Sequence, residues 1–315
     1  MATQILLLLL GLVVLIAGAE WMVRGASNLA RKYNVSDLII GLTVVAFGTS
    51  APELVVNLFA STSDHQDIVF GNILGSNNFN IFIILGIAGM IFPLKVQVST
   101  IWKEIPMSLA ALVILFLMVN IPFHGEHFLG RIDGLILLLL FALFQFYIYN
   151  QIKNNKQEEL VPSKNIRLAT TIILIIVGLA GLVIGGKLVV NNAVLLAKAL
   201  GISEKIIGLT IIAAGTSLPE LATSAVAALK KKTDIAVGNI VGSNLFNILL
   251  IGGTVAVVKP VPYSNTFNND FYILAAGTVI LFINMFTWKK HRLDRWEAAL
   301  LFSVYVIYTV YIISR

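Results

Sequence analysis

The sequence predicts an all-α integral membrane protein with ten transmembrane helices in two inverted repeats of five helices. Three observations predict this fold: an apolar composition, hydrophobic segments long enough to cross a bilayer, and a second half that repeats the first. Of the 315 residues, 58% are hydrophobic and 12% are charged, whereas soluble domains carry about 25% charged residues. The composition therefore favours a chain embedded in a membrane.

Ten segments are apolar enough to cross the hydrocarbon core, which takes roughly 20 residues of helix. The first is not expected to be a cleaved signal peptide, because no positive charge precedes it and its apolar character continues past Ala19. The ten segments lie near residues 4–30, 38–61, 67–92, 101–120, 130–151, 168–199, 204–229, 234–258, 270–288 and 294–313.

The positions of the positive charges predict the topology. The formal net charge is +6, but the 22 lysines and arginines do not form a nucleic-acid-binding patch. With the N-terminus outside, 15 fall in inside loops, 5 in outside loops and 2 within spans, which accounts for all 22. This bias follows the positive-inside rule and predicts that both termini lie outside. The chain has no cysteine, which excludes disulfides, thiolate metal sites and thiol catalysis.

The chain contains an internal repeat, because its second half resembles its first. A shift of 167 residues superposes Gly48-Thr49-Ser50 on Gly215-Thr216-Ser217, and residues 41–60 match 208–227 at 11 of 20 positions. Residues 67–86 match 234–253 at 13 of 20 positions. We therefore predict a first repeat over 1–151, a polar linker inside the cell over 152–167, and a second repeat over 168–315. Because five is an odd number, the second repeat enters the membrane from the opposite side, as in many transporters.

Two acidic residues occupy equivalent positions in the middle of predicted spans. Glu53 and Glu220 each lie too deep to reach the membrane surface and have no basic neighbour within a helical turn. A carboxylate at this depth costs roughly 2.5–3.5 kcal/mol on insertion scales. The pair is therefore predicted to attract cations.

Oxygen-bearing residues accompany both glutamates. Pro52 and Pro219 are predicted to break the two spans, since proline removes a backbone hydrogen bond and frees a carbonyl. A residue three or four positions before each glutamate shares its face of the helix, and the neighbouring spans add a serine and an asparagine four residues apart. Such oxygens suit a hard cation such as Na⁺ or Ca²⁺. The residues concerned are Thr49, Ser50, Ser76 and Asn80 in the first repeat, and Thr216, Ser217, Ser243 and Asn247 in the second.

The repeated Gly-Thr-Ser-x-Pro-Glu and Gly-Asn-x-x-Gly-Ser-Asn-x-Phe-Asn stretches resemble the α-repeats of the sodium/calcium exchanger family, within the cation/Ca²⁺ antiporter superfamily. The resemblance covers the whole chain. It implies a multi-pass protein of the plasma membrane (the cell inner membrane) that exchanges Na⁺ for Ca²⁺ by alternating access. It implies no cofactor, enzymatic activity or obligatory oligomer, and only the two ions and the bilayer as partners.

The same resemblance implies a set of ion ligands. Ca²⁺ would be bound by Glu53 and Glu220 with the carbonyls of Thr49 and Thr216. Na⁺ would use the same acids with Ser50, Ser76, Ser217, Ser243 and the carbonyls of Ala46 and Ala213. Asn80 and Asn247 would lie at the centre.

One departure from the family pattern bears on the ions. Several relatives, including potassium-dependent ones, carry an acid at the position of Asn247, whereas this chain has an amide there. Two carboxylates neutralise one Ca²⁺, and three Na⁺ leave one positive charge. The sequence therefore predicts electrogenic exchange of about three Na⁺ per Ca²⁺.

Two other functions remain open at this point. The buried glutamates suit H⁺/Ca²⁺ exchange on the same fold, since desolvation favours their protonated form. A cation channel is the alternative from another class, although two broken repeats around one ligand set favour a carrier over an open pore.

Overall fold

The structure, a computed structural model, describes residues 1–62, 67–121, 127–154, 167–201, 213–288 and 290–314. Over these residues the chain is mainly helical, because a chain in lipid must satisfy its backbone hydrogen bonds internally. The helices are α1 (Ala2–Tyr33), α2 (Asp37–Thr49), α3 (Ala51–Thr62), α4 (Ile68–Ile91), α5 (Thr100–Asn120), α6 (Arg131–Asn154), α7 (Leu168–Ala199), α8 (Leu218–Leu229), α9 (Thr233–Val258), α10 (Asn268–Asn284) and α11 (Arg295–Ser314).

The helices agree with a multi-pass membrane protein. Among the described residues, seven helices are long and apolar enough to cross a membrane, or eight if the bent pair α2 and α3 forms one span. The prediction of a helical membrane protein is confirmed at this level, while the count of ten stays a prediction. Helix α11 coincides with the predicted tenth segment, and α8 covers the second part of the predicted seventh segment. Residues 204–212 of the seventh segment and 155–166 of the linker lie outside the described residues.

The longest helices of the two halves, α1 and α7, pack against each other in opposite directions. A Cβ on Gly18 would lie 2.7 Å from the backbone nitrogen of Leu182, and one on Gly178 would lie 2.6 Å from that of Met22. Farther along, Gly11 meets Leu188, so the register decreases along one helix as it increases along the other. Small residues allow two membrane helices to approach this closely.

The centre of the bundle is formed by α4 and α9, which are largely buried. Each packs on the last helix of the opposite half, α4 on α11 and α9 on α6. Gly86 of α4 meets the backbone of Ala298, and Gly253 of α9 meets the backbone of Gly134. These two contacts are equivalent under the 167-residue shift to within three positions.

Local interruptions shape the helices around the centre. Helices α2 and α3 meet at 44°, with Ser50 between them. Pro52 is the second residue of α3 and Pro219 the second of α8, a position where a missing N–H costs the helix nothing. The break therefore lies just before each proline.

Widened π-helical turns interrupt α4 at Phe79–Ile84 and α9 at Phe246–Ile251, again at equivalent positions. Such turns are rare in proteins as a whole, and those that occur often lie at functional sites.

Two short antiparallel strand pairs connect the halves outside the helices. Strand β1 (Leu94–Lys95) pairs with β4 (Arg292–Leu293), and β2 (Phe128–Leu129) pairs with β3 (Val261–Pro262). Each pair joins a loop of the first half to a loop of the second. They hold the ends of the helices in register.

Gly185→Ala is expected to lower the free energy of unfolding by about 1–3 kcal/mol, because the new methyl group overpacks the α1–α7 contact. The added Cβ would lie 2.5 Å from the backbone nitrogen of Leu15, which cannot move away without shifting the helix. Thermal unfolding in detergent measures the loss.

The matched control is Gly186→Ala, one residue along the same helix, where the nearest atom is 4.0 Å away. An equal loss of stability in both variants would show that the close approach of α1 and α7 does not restrict the size of the side chain at position 185.

Candidate ion-binding site

The two glutamates lie buried at the first turns of broken helices. Glu53 is the third residue of α3 and Glu220 the third residue of α8, and each is 1% exposed. The positive end of the helix dipole favours a carboxylate at this position. None of the ion pairs formed by the described residues includes either glutamate. The helix ends, rather than basic side chains, therefore offset their charge.

A serine from the opposite half contacts each carboxylate. The Ser50 hydroxyl donates to Oε1 of Glu220 at 3.0 Å, and the Ser217 hydroxyl donates to Oε1 of Glu53 at 3.4 Å. The sequence placed each serine beside the glutamate of its own half. The structure instead pairs them across the halves, because Ser50 and Ser217 have left regular helical geometry at the break, with ψ near 2° and 7°.

The two threonines contact asparagines that also belong to the opposite half. The Thr49 hydroxyl donates to Oδ1 of Asn239 at 3.1 Å, and the Asn72 amide donates to the Thr216 hydroxyl at 3.2 Å. Asn239 also donates to Ser224 of α8 at 3.0 Å. Each of these asparagines therefore bridges the acid-bearing helix of its own half and the hydroxyl of the other.

Asn72 and Asn239 are not among the site residues predicted from the sequence. The signal that identifies them is the Gly-Asn pair, at residues 71–72 and 238–239, which is identical in both copies of the repeat.

Four further asparagines join α4 and α9 within and beside their π-helical turns. The Asn80 amide donates to Oδ1 of Asn244 at 2.9 Å, and the Asn247 amide donates to Oδ1 of Asn77 at 3.0 Å. Asn77 and Asn244 had also received no role, although both belong to the repeated Gly-Ser-Asn triplet. Since each amide nitrogen of Asn80 and Asn247 is anchored, each carbonyl oxygen is held in a fixed direction.

Six buried side-chain oxygens at the centre have no hydrogen-bond partner among the residues that the structure describes. Other buried side-chain atoms of the described residues also lack a partner. These six are the ones that form pairs of equivalent residues under the 167-residue shift. A buried oxygen left unpaired costs about 1–3 kcal/mol, so six of them in matched pairs indicate a ligand set. We call these atoms the six-oxygen cluster: Oε2 of Glu53 and Glu220, Oγ of Ser76 and Ser243, and Oδ1 of Asn80 and Asn247.

The composition of the six-oxygen cluster suits a hard cation. Ca²⁺ takes about 6–8 oxygen ligands, with carboxylates and carbonyls preferred. The described residues contain no group of three or more His, Cys, Asp or Glu side chains arranged for a metal ion. Two carboxylates and neutral oxygens are thus what the site offers.

The remaining predicted residues lie at the same breaks but outside the six-oxygen cluster. The Ala46 carbonyl accepts the Ser50 amide hydrogen at 3.0 Å. Ala213 lies in the short helical turn Ala213–Gly215. Pro52 and Pro219 have no amide hydrogen to donate to the carbonyls of Gly48 and Gly215.

The family model described as sodium/calcium exchanger protein matches residues 3–150 and 170–314. The chain belongs to the sodium/calcium exchanger family. The resemblance drawn from the repeated motifs is therefore confirmed, and the family is one of transporters rather than enzymes.

Curated relatives and a solved structure match this exchanger-family chain over nearly its full length. The putative antiporter CaxA of Alkalimonas amylolytica is 37% identical and is covered, like this chain, over 100% of its length. The sodium/calcium exchanger MaX1 of Methanosarcina acetivorans is 30% identical, with 97% of each chain covered. A structure of the sodium-calcium exchanger NCX_Mj soaked with 10 mM Na⁺ and zero Ca²⁺ has a TM-score of 0.82 at 32% identity, covering 96% of this chain and 97% of that one. These matches support a cation/Ca²⁺ antiporter.

Asn239→Ala is expected to lower the free energy of unfolding of this family member by about 1–3 kcal/mol, because it leaves buried polar partners in both halves without their hydrogen bonds. Thermal unfolding in detergent reports the change. The control is Asn191→Ala, an exposed asparagine on α7. Unchanged stability in the Asn239 variant would mean that the bridge between the halves contributes nothing.

Proposed function

We propose that the protein is a secondary active antiporter that exchanges Na⁺ for Ca²⁺ by alternating access, with about three Na⁺ moved per Ca²⁺. The observation that carries the proposal is the six-oxygen cluster, in which three matched pairs of buried oxygens have no partner in the described part of the chain. Its donor types are those that Ca²⁺ and Na⁺ bind. The membrane is the plasma membrane, and both termini lie outside.

Ten membrane spans in two inverted repeats complete the proposal. The antiparallel packing of α1 on α7 supports it, as do the equivalent contacts of α4 and α9 with the last helix of the opposite half. With five spans in each half, corresponding helices run in opposite directions. The repeats would cover 1–151 and 168–315, with the linker at 152–167.

The charge of the site supports the stoichiometry. Glu53 and Glu220 are the acidic members of the six-oxygen cluster, and neither forms an ion pair among the described residues. Their two negative charges neutralise one Ca²⁺, so the Ca²⁺-loaded carrier crosses with no net charge at the site. Three Na⁺ leave one positive charge, and the full cycle moves that charge across the membrane.

The neutral oxygens favour Na⁺ over H⁺ as the coupling ion. A proton binds a carboxylate and needs no ligand from serine or asparagine. Four of the six unpaired oxygens nevertheless belong to Ser76, Ser243, Asn80 and Asn247, which do not take up protons at neutral pH but do ligate Na⁺.

The hydrogen bonds across the site support alternating access. Ser50 with Glu220, and Ser217 with Glu53, join the breaks of the two halves through one hydrogen bond each. The same carboxylates present Oε2 to the ion, so an ion that pulls on them also acts on these hydrogen bonds, and ion binding is coupled to the relative position of the halves. Such coupling is what a carrier needs to move between its two open states.

Glu53→Gln and Glu220→Gln are each expected to reduce Ca²⁺ uptake into Na⁺-loaded proteoliposomes to background, because one charge is insufficient to bind Ca²⁺ at this depth. Radiolabelled Ca²⁺ uptake measures the effect, with size-exclusion profiles confirming that each variant is folded. Glu20→Gln is the matched control, since Glu20 is exposed and ion-paired with Lys230. Normal Ca²⁺ uptake by either site variant would contradict the assignment of Glu53 and Glu220 as Ca²⁺ ligands.

Exchange is expected to respond to membrane potential by roughly 2.3 kcal/mol per net charge per 100 mV. Proteoliposomes clamped with K⁺ and valinomycin would show faster Ca²⁺ uptake when the inside is positive, because uptake is accompanied by net export of one positive charge. The measurement is repeated with a pH gradient and no Na⁺ gradient. Voltage-independent exchange would exclude the stoichiometry, and uptake driven by the pH gradient alone would favour H⁺ coupling.

A further inference from the structure

An apolar groove opens between α5, α6 and α9, and none of its lining residues belongs to the six-oxygen cluster. Its volume is about 210 Å³, larger than the roughly 150 Å³ of an engineered apolar cavity that stays dry and binds benzene. Apolar side chains from all three helices line it. The main ones are Met107 and Ile114 of α5, Leu140 and Phe144 of α6, and Leu245 and Leu249 of α9.

The groove has a buried floor and an open rim. Leu245, Leu249 and Phe144 are almost fully buried, whereas Ala110 and Leu143 on the rim are exposed. The rim residues lie in the middle of α5 and α6, where exposed apolar side chains face hydrocarbon rather than water. The groove therefore opens into the bilayer, where the available apolar ligand is an acyl chain.

A cation lies beyond one end of the groove. Lys103 lies four residues before Met107, in the π-helical turn Thr100–Glu104 at the start of α5, and its side chain is exposed. Its ammonium lies over the ring of Tyr147, 5.6 Å from the centroid, and Tyr147 is one turn beyond Leu143 on α6. At about 1.5 Å per residue, Ile114 is roughly 16 Å along the helix from Lys103. Charge and groove are thus spaced like the headgroup and upper chain of a phospholipid.

The equivalent space on the other side of the repeat, between α4 and α10, is filled by a side chain of the protein. Under the 167-residue shift, Leu249 corresponds to Phe82 and Ala110 to Gly277. The Phe82 ring is 1% exposed and presses on Gly277, where an added Cβ would lie 2.3 Å from Cζ. At the groove, Leu249 of α9 stands in place of the ring and Ala110 of α5 in place of the glycine, and the space stays open.

We infer that the groove holds one acyl chain of a phospholipid whose anionic headgroup pairs with Lys103. The acyl chain takes the place that Phe82 occupies in the equivalent space beside Gly277. Its chemistry is complementary at both ends, with carbon against the apolar floor and a phosphate against the lysine. The lipid would join α5 and α6 to α9, the helix that carries Asn247.

The binding is tested by native mass spectrometry of the full-length protein in mild detergent, titrated with dioleoyl phosphatidylglycerol or dioleoyl phosphatidylcholine. The first lipid bound is expected to be phosphatidylglycerol, about fivefold more tightly than phosphatidylcholine, because one lysine contacts the anionic headgroup. Lys103→Gln is expected to make the two affinities equal. Equal affinities in the unmodified protein would overturn the headgroup assignment.

The groove itself is tested by giving it the residue types of the equivalent space, where Phe82 packs on Gly277. Leu249→Phe combined with Ala110→Gly is expected to fill the groove and weaken binding of phosphatidylglycerol about tenfold, since several methylenes lose their buried contacts. Ala110→Leu blocks the rim without altering the floor and covers the case in which the double variant does not fold. Leu139→Phe is the control, because Leu139 is exposed on α6 but does not line the groove.

Two results would overturn the site. One is unchanged phosphatidylglycerol binding in both groove variants, which would indicate only a loosely held lipid shell. The other is an equal loss in Leu139→Phe, which would indicate a general effect of surface aromatics. Loss confined to the groove variants supports the inference, whatever the outcome for Na⁺ and Ca²⁺ transport.

Discussion

The burial of two carboxylates inside a bilayer is the constraint on which the rest of this structure depends. Glu53 and Glu220 are each 1% exposed, and no ion pair with either is found among the described residues. A charge at this depth needs compensation, and the protein supplies it without a basic side chain. Helix breaks place each acid at a helix N-terminus, and a hydroxyl of the opposite half donates to it. The helix breaks, the prolines and the serines thus act together to stabilise the two buried carboxylates.

Because the compensating groups cross between the halves, neither half contains a complete site. Each carboxylate takes its serine from the other half, each break threonine contacts an asparagine of the other half, and Asn80 and Asn247 are anchored across the same boundary. In the proposed transport cycle, a relative movement of the halves that opens a path to the ion would also stretch these hydrogen bonds. The site is therefore also the joint, which is the arrangement expected of an alternating-access carrier.

The sequence predicted the helices better than it predicted the contacts at the site. Spans such as α1 and α7 follow from hydropathy, because lipid leaves the backbone no other partner than itself. The residues at the breaks were also predictable, since Pro52 and Glu53 conflict with an uninterrupted apolar helix. The serine contacts were not, because a spacing of three or four residues assumes an intact helix and the chain leaves that geometry at Ser50. Asn72 and Asn77 were missed although they are repeated at Asn239 and Asn244, since an amide in a membrane helix gives no direction by itself. The π-helical turns and two-residue strands depend on tertiary contacts that no local pattern encodes.

Comparison of the two halves shows what keeps them alike. Within the six-oxygen cluster the residues are identical in both halves, down to the choice of serine and asparagine. Away from it they diverge: Phe82 fills a space that Leu249 leaves open, and Glu20, which pairs with Lys230 at 2.9 Å, has Lys187 as its counterpart. Helix packing tolerates both versions of each pair, and an exposed ion pair contributes little to stability. The demands of packing alone therefore do not explain the identity at the centre. The proposed coordination of a cation from both sides would explain it, because each half would then have to present the same oxygens at the same distance.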